Sequence, residues 1–132
     1  MTIDPQGDTG ALQPPLMGKR IFVAEDDALL AIDIDDAICA AGGETVGPVA
    51  RVPQGLEALD AVSDVDGAVL DVDLDGADVF PIAKVLVSRG VPMVFYTGRT
   101  DTVVLNAIFP NAPICRKPEE RDLIATRLAS II

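Results

Sequence analysis

The stretch Ile21-Phe22-Val23-Ala24-Glu25-Asp26-Asp27 sets four apolar residues in a row and then three carboxylates. An apolar run without polar alternation marks a strand covered on both faces, as in the middle of a parallel sheet. Carboxylates at the end of such a strand stand where open α/β sheets bind ligands, outside the carboxyl ends of the strands. Four further short runs follow: Thr45-Val46, Ala68-Val69-Leu70, Met93-Val94-Phe95-Tyr96 and Ala112-Pro113-Ile114-Cys115. Segments of helical period separate them, so the chain reads as a five-fold β-α alternation and the expected fold is an α/β, doubly wound, five-stranded parallel sheet.

The first helix is expected to start with Asp27 as its N-cap, since a short carboxylate accepts from the free N–H groups of the first turn. Leu30, Ile34, Ala37, Ile38 and Ala41 fall on one arc before Gly42-Gly43, with Ile32, Asp35 and Asp36 on the other side. A second helix begins near Pro53, and a third runs from about Asp78 to Ser88 before Gly90. The last helix, from about Glu119, is expected to bury Ile124, Leu128 and Ile131 and to leave no room for an output domain. Between Thr100 and Phe109 the pattern is weaker: Thr102-Val103-Val104 is β-branched and Pro110 closes the stretch after about two turns. A short, distorted or mobile connection is expected there.

At 132 residues the chain has the length of one domain. Residues 1–18, with Pro5, Gly7, Gly10, Pro14 and Pro15, read as a flexible lead-in, and 19–132 as the domain. The excess of 21 acidic over 10 basic side chains gives a charge of -11, which repels nucleic acid and anionic membranes. The absence of His removes the commonest general base and zinc ligand, so histidine chemistry has to come from a partner. Cys39 and Cys115 are expected to be small buried thiols in a reducing compartment. No apolar run approaches membrane-spanning length and no secretory leader is recognisable, so a cytoplasmic protein is expected.

Glu25, Asp26, Asp71, Thr97 and Lys117 each stand at the carboxyl end of a predicted strand, and a parallel sheet gathers such ends into one crevice. Two carboxylates about 4 Å apart repel by about 4 kcal/mol at an effective dielectric near 20. A hard divalent cation relieves that repulsion, and a small oxygen donor set completed by water suits Mg²⁺. Asp71 can then attack phosphorus in line, with Lys117 and the Thr97 hydroxyl left to hold the phosphoryl oxygens.

With these motifs in view, residues 19–132 resemble the receiver domain of two-component response regulators. Ile21 to Asp27 is similar to the family's first strand and acidic pair, Val69-Leu70-Asp71 to its phosphoacceptor strand, and Cys115-Arg116-Lys117-Pro118 to its Lys-Pro end. The resemblance implies a (βα)5 flavodoxin-like fold of strand order 2-1-3-4-5, with Asp71 as phosphoacceptor. It also implies Mg²⁺ held by Asp26, Asp71, the Asp73 backbone carbonyl and, through water, Glu25. The implied phosphodonor is a histidine kinase or histidine phosphotransfer protein, the implied output a changed protein-protein interaction, and the Lys117-Pro118 bond is expected to be cis.

Pro92 to Arg99 (PMVFYTGR) is similar to the Pro-Phe-x-Phe-Ala-Thr-Gly-Tyr string of the stand-alone subgroup nicknamed FAT GUY, with Met93, Tyr96 and Arg99 as departures. The aromatic that receivers carry three positions before the lysine is Ile114 here, and the proline four positions after the acceptor is Asp75. In the family, residues two past the acceptor and two past the threonine tune loss of the phosphoryl group, which points to Asp73 and Arg99.

Competing patterns exist. Asp71 to Gly76 (DVDLDG) starts like a calcium-binding EF-hand loop, but Ile82 stands where that loop needs a bidentate glutamate. Asp71-Val72-Asp73 also looks like the nucleophile and acid pair of Asp-nucleophile phosphatases, yet this chain has its acidic pair before that strand and none after the lysine. A degenerate receiver serving as a constitutive interaction module is the remaining alternative.

Overall fold

A computed structural model describes residues 13–132 of the chain. The elements are β1 (Arg20–Ala24), α1 (Ala28–Ala40), β2 (Glu44–Val49), α2 (Val52–Ala61), β3 (Gly67–Leu70), β4 (Asp73–Leu74), β5 (Ala77–Asp78), α3 (Phe80–Ser88), β6 (Met93–Thr97), α4 (Val103–Ile108), β7 (Ile114–Arg116) and α5 (Ile124–Ile131). A 3-10 turn, Arg121–Leu123, leads into α5. The five main strands pair in the order β2-β1-β3-β6-β7, every pair parallel. Counted without β4 and β5, this is the expected order 2-1-3-4-5.

The unforeseen element is the antiparallel hairpin of β4 and β5, in which Asp73 faces Asp78 and Leu74 faces Ala77. Its turn is Asp75-Gly76, and both residues have positive φ, 51° and 81°. A two-residue hairpin turn needs this conformation, and Asp-Gly is among the pairs that adopt it. Two-residue strands are too short to show alternation, which is why the sequence reads here as loop.

Each face of the sheet has its own core. Ile21, Val23, Val69, Val94 and Cys115 pack against Ile34 and Ile38 of α1 and Ile124 and Leu128 of α5. On the other face Phe22, Leu70 and Phe95 meet Leu59 of α2, Ile82 and Leu86 of α3 and Leu105 of α4. Full burial of side chains of this size stabilises by roughly 1.5–3 kcal/mol each. The central strands β1, β3 and β6 are buried on both faces because both faces are covered, as their unbroken apolar runs indicate, while the edge strands β2 and β7 are partly exposed.

In α1, Asp27 caps the helix, its carboxylate accepting from the Leu29 and Leu30 N–H groups at 3.0 and 3.2 Å. Ala31, Ile34 and Ile38 are buried, Leu30 and Ala37 half-buried, and Ile32 is 56% exposed. Cys39 corrects the expectation of two buried thiols: Cys115 is buried in β7, while Cys39 is exposed. One residue past Ile38 turns it about 100° away from the buried arc. Of the expected lead-in, residues 1–12 lie outside the described residues. Its remainder folds back: Leu16 is fully buried and its N–H donates to the Ala41 carbonyl at 2.8 Å. Gly42 permits this, with φ 88° and a backbone so close to Pro14 that a Cβ would stand 2.9 Å from the Pro14 Cβ.

The helix expected to be weak is six residues long and buries only Leu105. Phe109, just beyond it, packs edge-on against Phe80 and tilted against Phe95, with centroids 5.5 Å apart in both pairs. At the end of the chain, Ile124 and Leu128 are buried as expected, and Ile131 is half-buried. Among the described residues no helix is long and apolar enough to cross a membrane.

Candidate functional site

The main-chain ladder sets the site. The Glu25 N–H donates to the Val49 carbonyl at 2.9 Å, Asp71 N–H to Ala24 at 2.8 Å and Lys117 N–H to Thr97 at 2.9 Å. Each residue just past β1, β3 and β7 is thus tied to the end of a neighbouring strand. Their side chains meet at the carboxyl edge of the sheet, as the crevice argument requires.

Lys117 is the hub. Its Nζ lies 2.7 Å from Glu25 Oε1 and 2.9 Å from Asp71 Oδ2. The other Glu25 oxygen accepts from the Asp27 N–H at 3.2 Å, and Asp71 Oδ1 accepts weakly from the Asp73 N–H at 3.4 Å. Glu25, Asp26 and Asp71 each offer a carboxylate oxygen within 4.8 Å of the others. Glu25 and Asp71 are buried and Asp26 is exposed, so the cluster opens to solvent on the Asp26 side. Lys117 also stands 5.5 Å from the centroid of the Tyr96 ring, within cation–π range.

One lysine does not balance three carboxylates, and Glu25 shows the deficit. Burial, with the Asp71 charge adding to it, pushes the Glu25 carboxyl up to about 7 against the pull of Lys117 and the Asp27 N–H. For Lys117 the downward push of burial is outweighed by its bonds to Glu25 and Asp71, which hold the ammonium above the ordinary lysine range. Burial also pushes Asp26 upward, but hydrogen bonds, first that from the Asp75 N–H, hold it below the usual carboxylate range. An all-oxygen cluster with one acid struggling to keep its charge fits a hard divalent cation such as Mg²⁺.

The structure therefore brings Glu25, Asp26, Asp71 and Lys117 together. Thr97 is buried at the end of β6, its Oγ1 accepting from the Arg99 N–H at 3.1 Å. Asp73 and Arg99 sit on the rim, half-exposed and paired with each other, Arg99 Nε to Asp73 Oδ2 at 3.2 Å. The Lys117-Pro118 bond is cis, as expected, and so is Gly47-Pro48. Sequence reading missed the Asp75 N–H, which donates to Asp26 Oδ2 at 2.8 Å, and the place of Tyr96 beneath Lys117. The Asp75-Gly76 dipeptide is the signal that points to the hairpin. Nothing in the sequence points to the lysine above Tyr96, because a buried aromatic before the strand-end threonine looks like core.

No family model and no curated protein matches the chain. Solved structures do. SdrG from Sphingomonas melonis is 32% identical, the match covering 86% of this chain and 95% of that one with a TM-score of 0.73. A response regulator receiver protein from Sinorhizobium medicae is 23% identical, with 86% and 93% covered and a TM-score of 0.75. The response regulator PhyR from Brucella abortus is 20% identical over 92% of this chain, with a TM-score of 0.76. This chain matches only 51% of the length of PhyR. The strand order, the acidic pocket bridged by Lys117 and the likeness to SdrG along nearly its whole length lead to one assignment: the chain belongs to the response regulator receiver family.

Proposed function

We propose that this receiver accepts a phosphoryl group on Asp71 from the phosphohistidine of a kinase or phosphotransfer protein, and that the modified form binds another protein with altered affinity. The observation that carries the reading is the Lys117 ammonium held between Asp71 and Glu25, beside Asp26, at the carboxyl edge of the sheet. Glu25, Asp26, Asp71 and the Asp73 carbonyl are the residues that would hold Mg²⁺. The bound cation supplies charge neutralisation, for the carboxylates and for the transferring group alike.

In the transfer, an Asp71 oxygen forms a bond to phosphorus as the phosphorus–nitrogen bond of the donor histidine breaks, and the electron pair leaves with the imidazole. Lys117, already 2.9 Å from Asp71, needs only to exchange a carboxylate oxygen for a phosphoryl oxygen. Thr97 supplies a hydroxyl to another, for which its Oγ1 need not give up the hydrogen bond it accepts from Arg99. Arg99 and Asp73 tune loss of the phosphoryl group: Arg99 can leave Asp73 for a phosphoryl oxygen and shield it from water.

The Thr97 to Pro110 segment and the last strand and helix are the moving parts, since the signal passes only if the two forms differ in affinity for a target. With Ile114 at the usual aromatic position, the readout does not run through a Tyr or Phe rotamer there. The Pro92 to Arg99 string supports kinship with the FAT GUY subgroup, and the charge of -11 supports a partner that is a protein rather than nucleic acid.

SdrG has been solved in a BeF3-activated conformation, and its match with that form is 31% identical over 88% of this chain. The corresponding test is titration with Mg²⁺ and beryllofluoride. Stoichiometric capture at Asp71, with NMR shifts around Thr97, is the expected result. Multiple turnover of a phosphate ester would instead indicate an Asp-nucleophile phosphatase, and silence a constitutive interaction module.

A further inference from the structure

Asp75 is the only non-glycine residue with positive φ among the described residues. The Asp-Gly hairpin turn places it there, Asp being among the few residues with a Cβ that enter the left-handed region. Two contacts of Asp75 accompany this conformation. Its carboxylate pairs with Arg51 Nε at 3.2 Å, tying the hairpin to the connection between β2 and α2. Its backbone N–H donates to Asp26 Oδ2 at 2.8 Å, across 49 residues of chain.

The rest of the hairpin is anchored as well. Leu74 is 1% exposed in the core, and Asp73 is paired with Arg99 on the far side. The turn, anchored by buried Leu74 and flanked by two exposed arginine pairs, aims a single N–H at one oxygen of Asp26. That bond fixes the orientation of the Asp26 carboxylate, which stands beside Glu25 and Asp71.

We propose that Asp75 is a positioning residue for the cation site, its backbone N–H holding the Asp26 carboxylate in a fixed orientation before any cation arrives. This inference rests on the receiver reading above. A proline at this position would have no N–H to give. An N–H aimed at a carboxylate is a charge-assisted hydrogen bond and orients its acceptor strongly. The turn therefore takes on ordering of Asp26 that the cation would otherwise have to impose.

The test compares Mg²⁺ affinity by calorimetry in the full chain and three altered forms. Replacing the residue 75 amide by an ester, through the 2-hydroxy analogue of aspartate, removes the N–H alone and is expected to weaken Mg²⁺ about tenfold. Asp75→Gly keeps both the N–H and the positive φ and should stay within about threefold of the unaltered chain. Asp75→Pro, which loses both, should bind at least as weakly as the ester. A readout free of metal accompanies these: in Mg²⁺-free protein the Asp75 amide should exchange with solvent much more slowly than that of Gly76. An ester that binds Mg²⁺ like the unaltered chain, or an Asp75 amide that exchanges as fast as its neighbour, overturns the proposal. Failure of the unaltered chain to bind Mg²⁺ at all overturns the phosphoacceptor function proposed above with it, so the two failures are distinguishable.

Discussion

Two regions leave the carboxyl edge of the same sheet and are built in opposite ways. The pocket of Glu25, Asp71 and Lys117 is tied strand to strand by main-chain bonds of 2.8–2.9 Å and buried on nearly every side. The segment after Thr97 runs through exposed Gly98, Arg99 and Thr100 into a six-residue helix whose Val103 and Val104 are 75% and 61% exposed. Only Leu105 and Phe109 bury it. Under the proposed function the contrast teaches where rigidity belongs: phosphoryl transfer would need fixed oxygens and a fixed ammonium, whereas a response would need an element whose two arrangements differ little in free energy.

Asp71→Asn tests the rigid side most severely. It should abolish beryllofluoride capture, read as loss of the bound signal in fluorine NMR, while the fold survives by circular dichroism. Capture that persists would place the acceptor elsewhere. On the soft side, Phe109→Ala should cost about 3–5 kcal/mol in denaturant unfolding, since it removes a buried ring between Phe80 and Phe95. Val103→Ala and Val104→Ala, on the outer face, should stay within about 0.5 kcal/mol. Equal costs at all three would break the comparison, because α4 would then be held by its whole surface.

The pocket also makes a prediction in pH. Glu25 is raised from the ordinary 4.5 to about 7, so it binds protons more tightly folded than unfolded. Without Mg²⁺, its contribution to stability is fully present below about 4.5 and is lost as pH rises through about 7. Mg²⁺ requires the ionised form, so its affinity should run the other way, about tenfold weaker at pH 6 than at pH 8. Glu25→Gln should flatten that dependence, and a profile unchanged by the substitution would remove Glu25 as its source. The smallest effect belongs to the rim. Arg99→Ala breaks a half-exposed pair and should change stability by less than about 1 kcal/mol. Its readout is the lifetime of the phosphorylated form, and an unchanged lifetime would return Arg99 to the role of a loop arginine.

How far these features are legible in the sequence depends on their range. The cap at Asp27 and the turn at Gly42 follow from backbone chemistry within a few residues. So does the shortness of α4, where β-branched residues meet Pro110. Cys39 went astray because an apolar neighbourhood in sequence does not place a side chain on a helical wheel. Leu16 went astray because Pro14 and Pro15 look like linker, while the space under α1 that receives the leucine exists only after folding. The β4 and β5 hairpin carried its Asp-Gly mark, but its strands have no period to read.

By itself the sequence determined the five strands of the main sheet, their parallel arrangement and the residues at their carboxyl ends, because covered strands leave apolar runs and ligand groups follow them directly. Only the tertiary structure decided which oxygens meet. The ammonium between Glu25 and Asp71, Tyr96 beneath it, and the Asp75 N–H aimed at Asp26 join residues far apart in the chain. Hydrogen bonds and ion pairs depend on separations of a few tenths of an ångström, and no local pattern encodes such separations until the sheet has closed the distance.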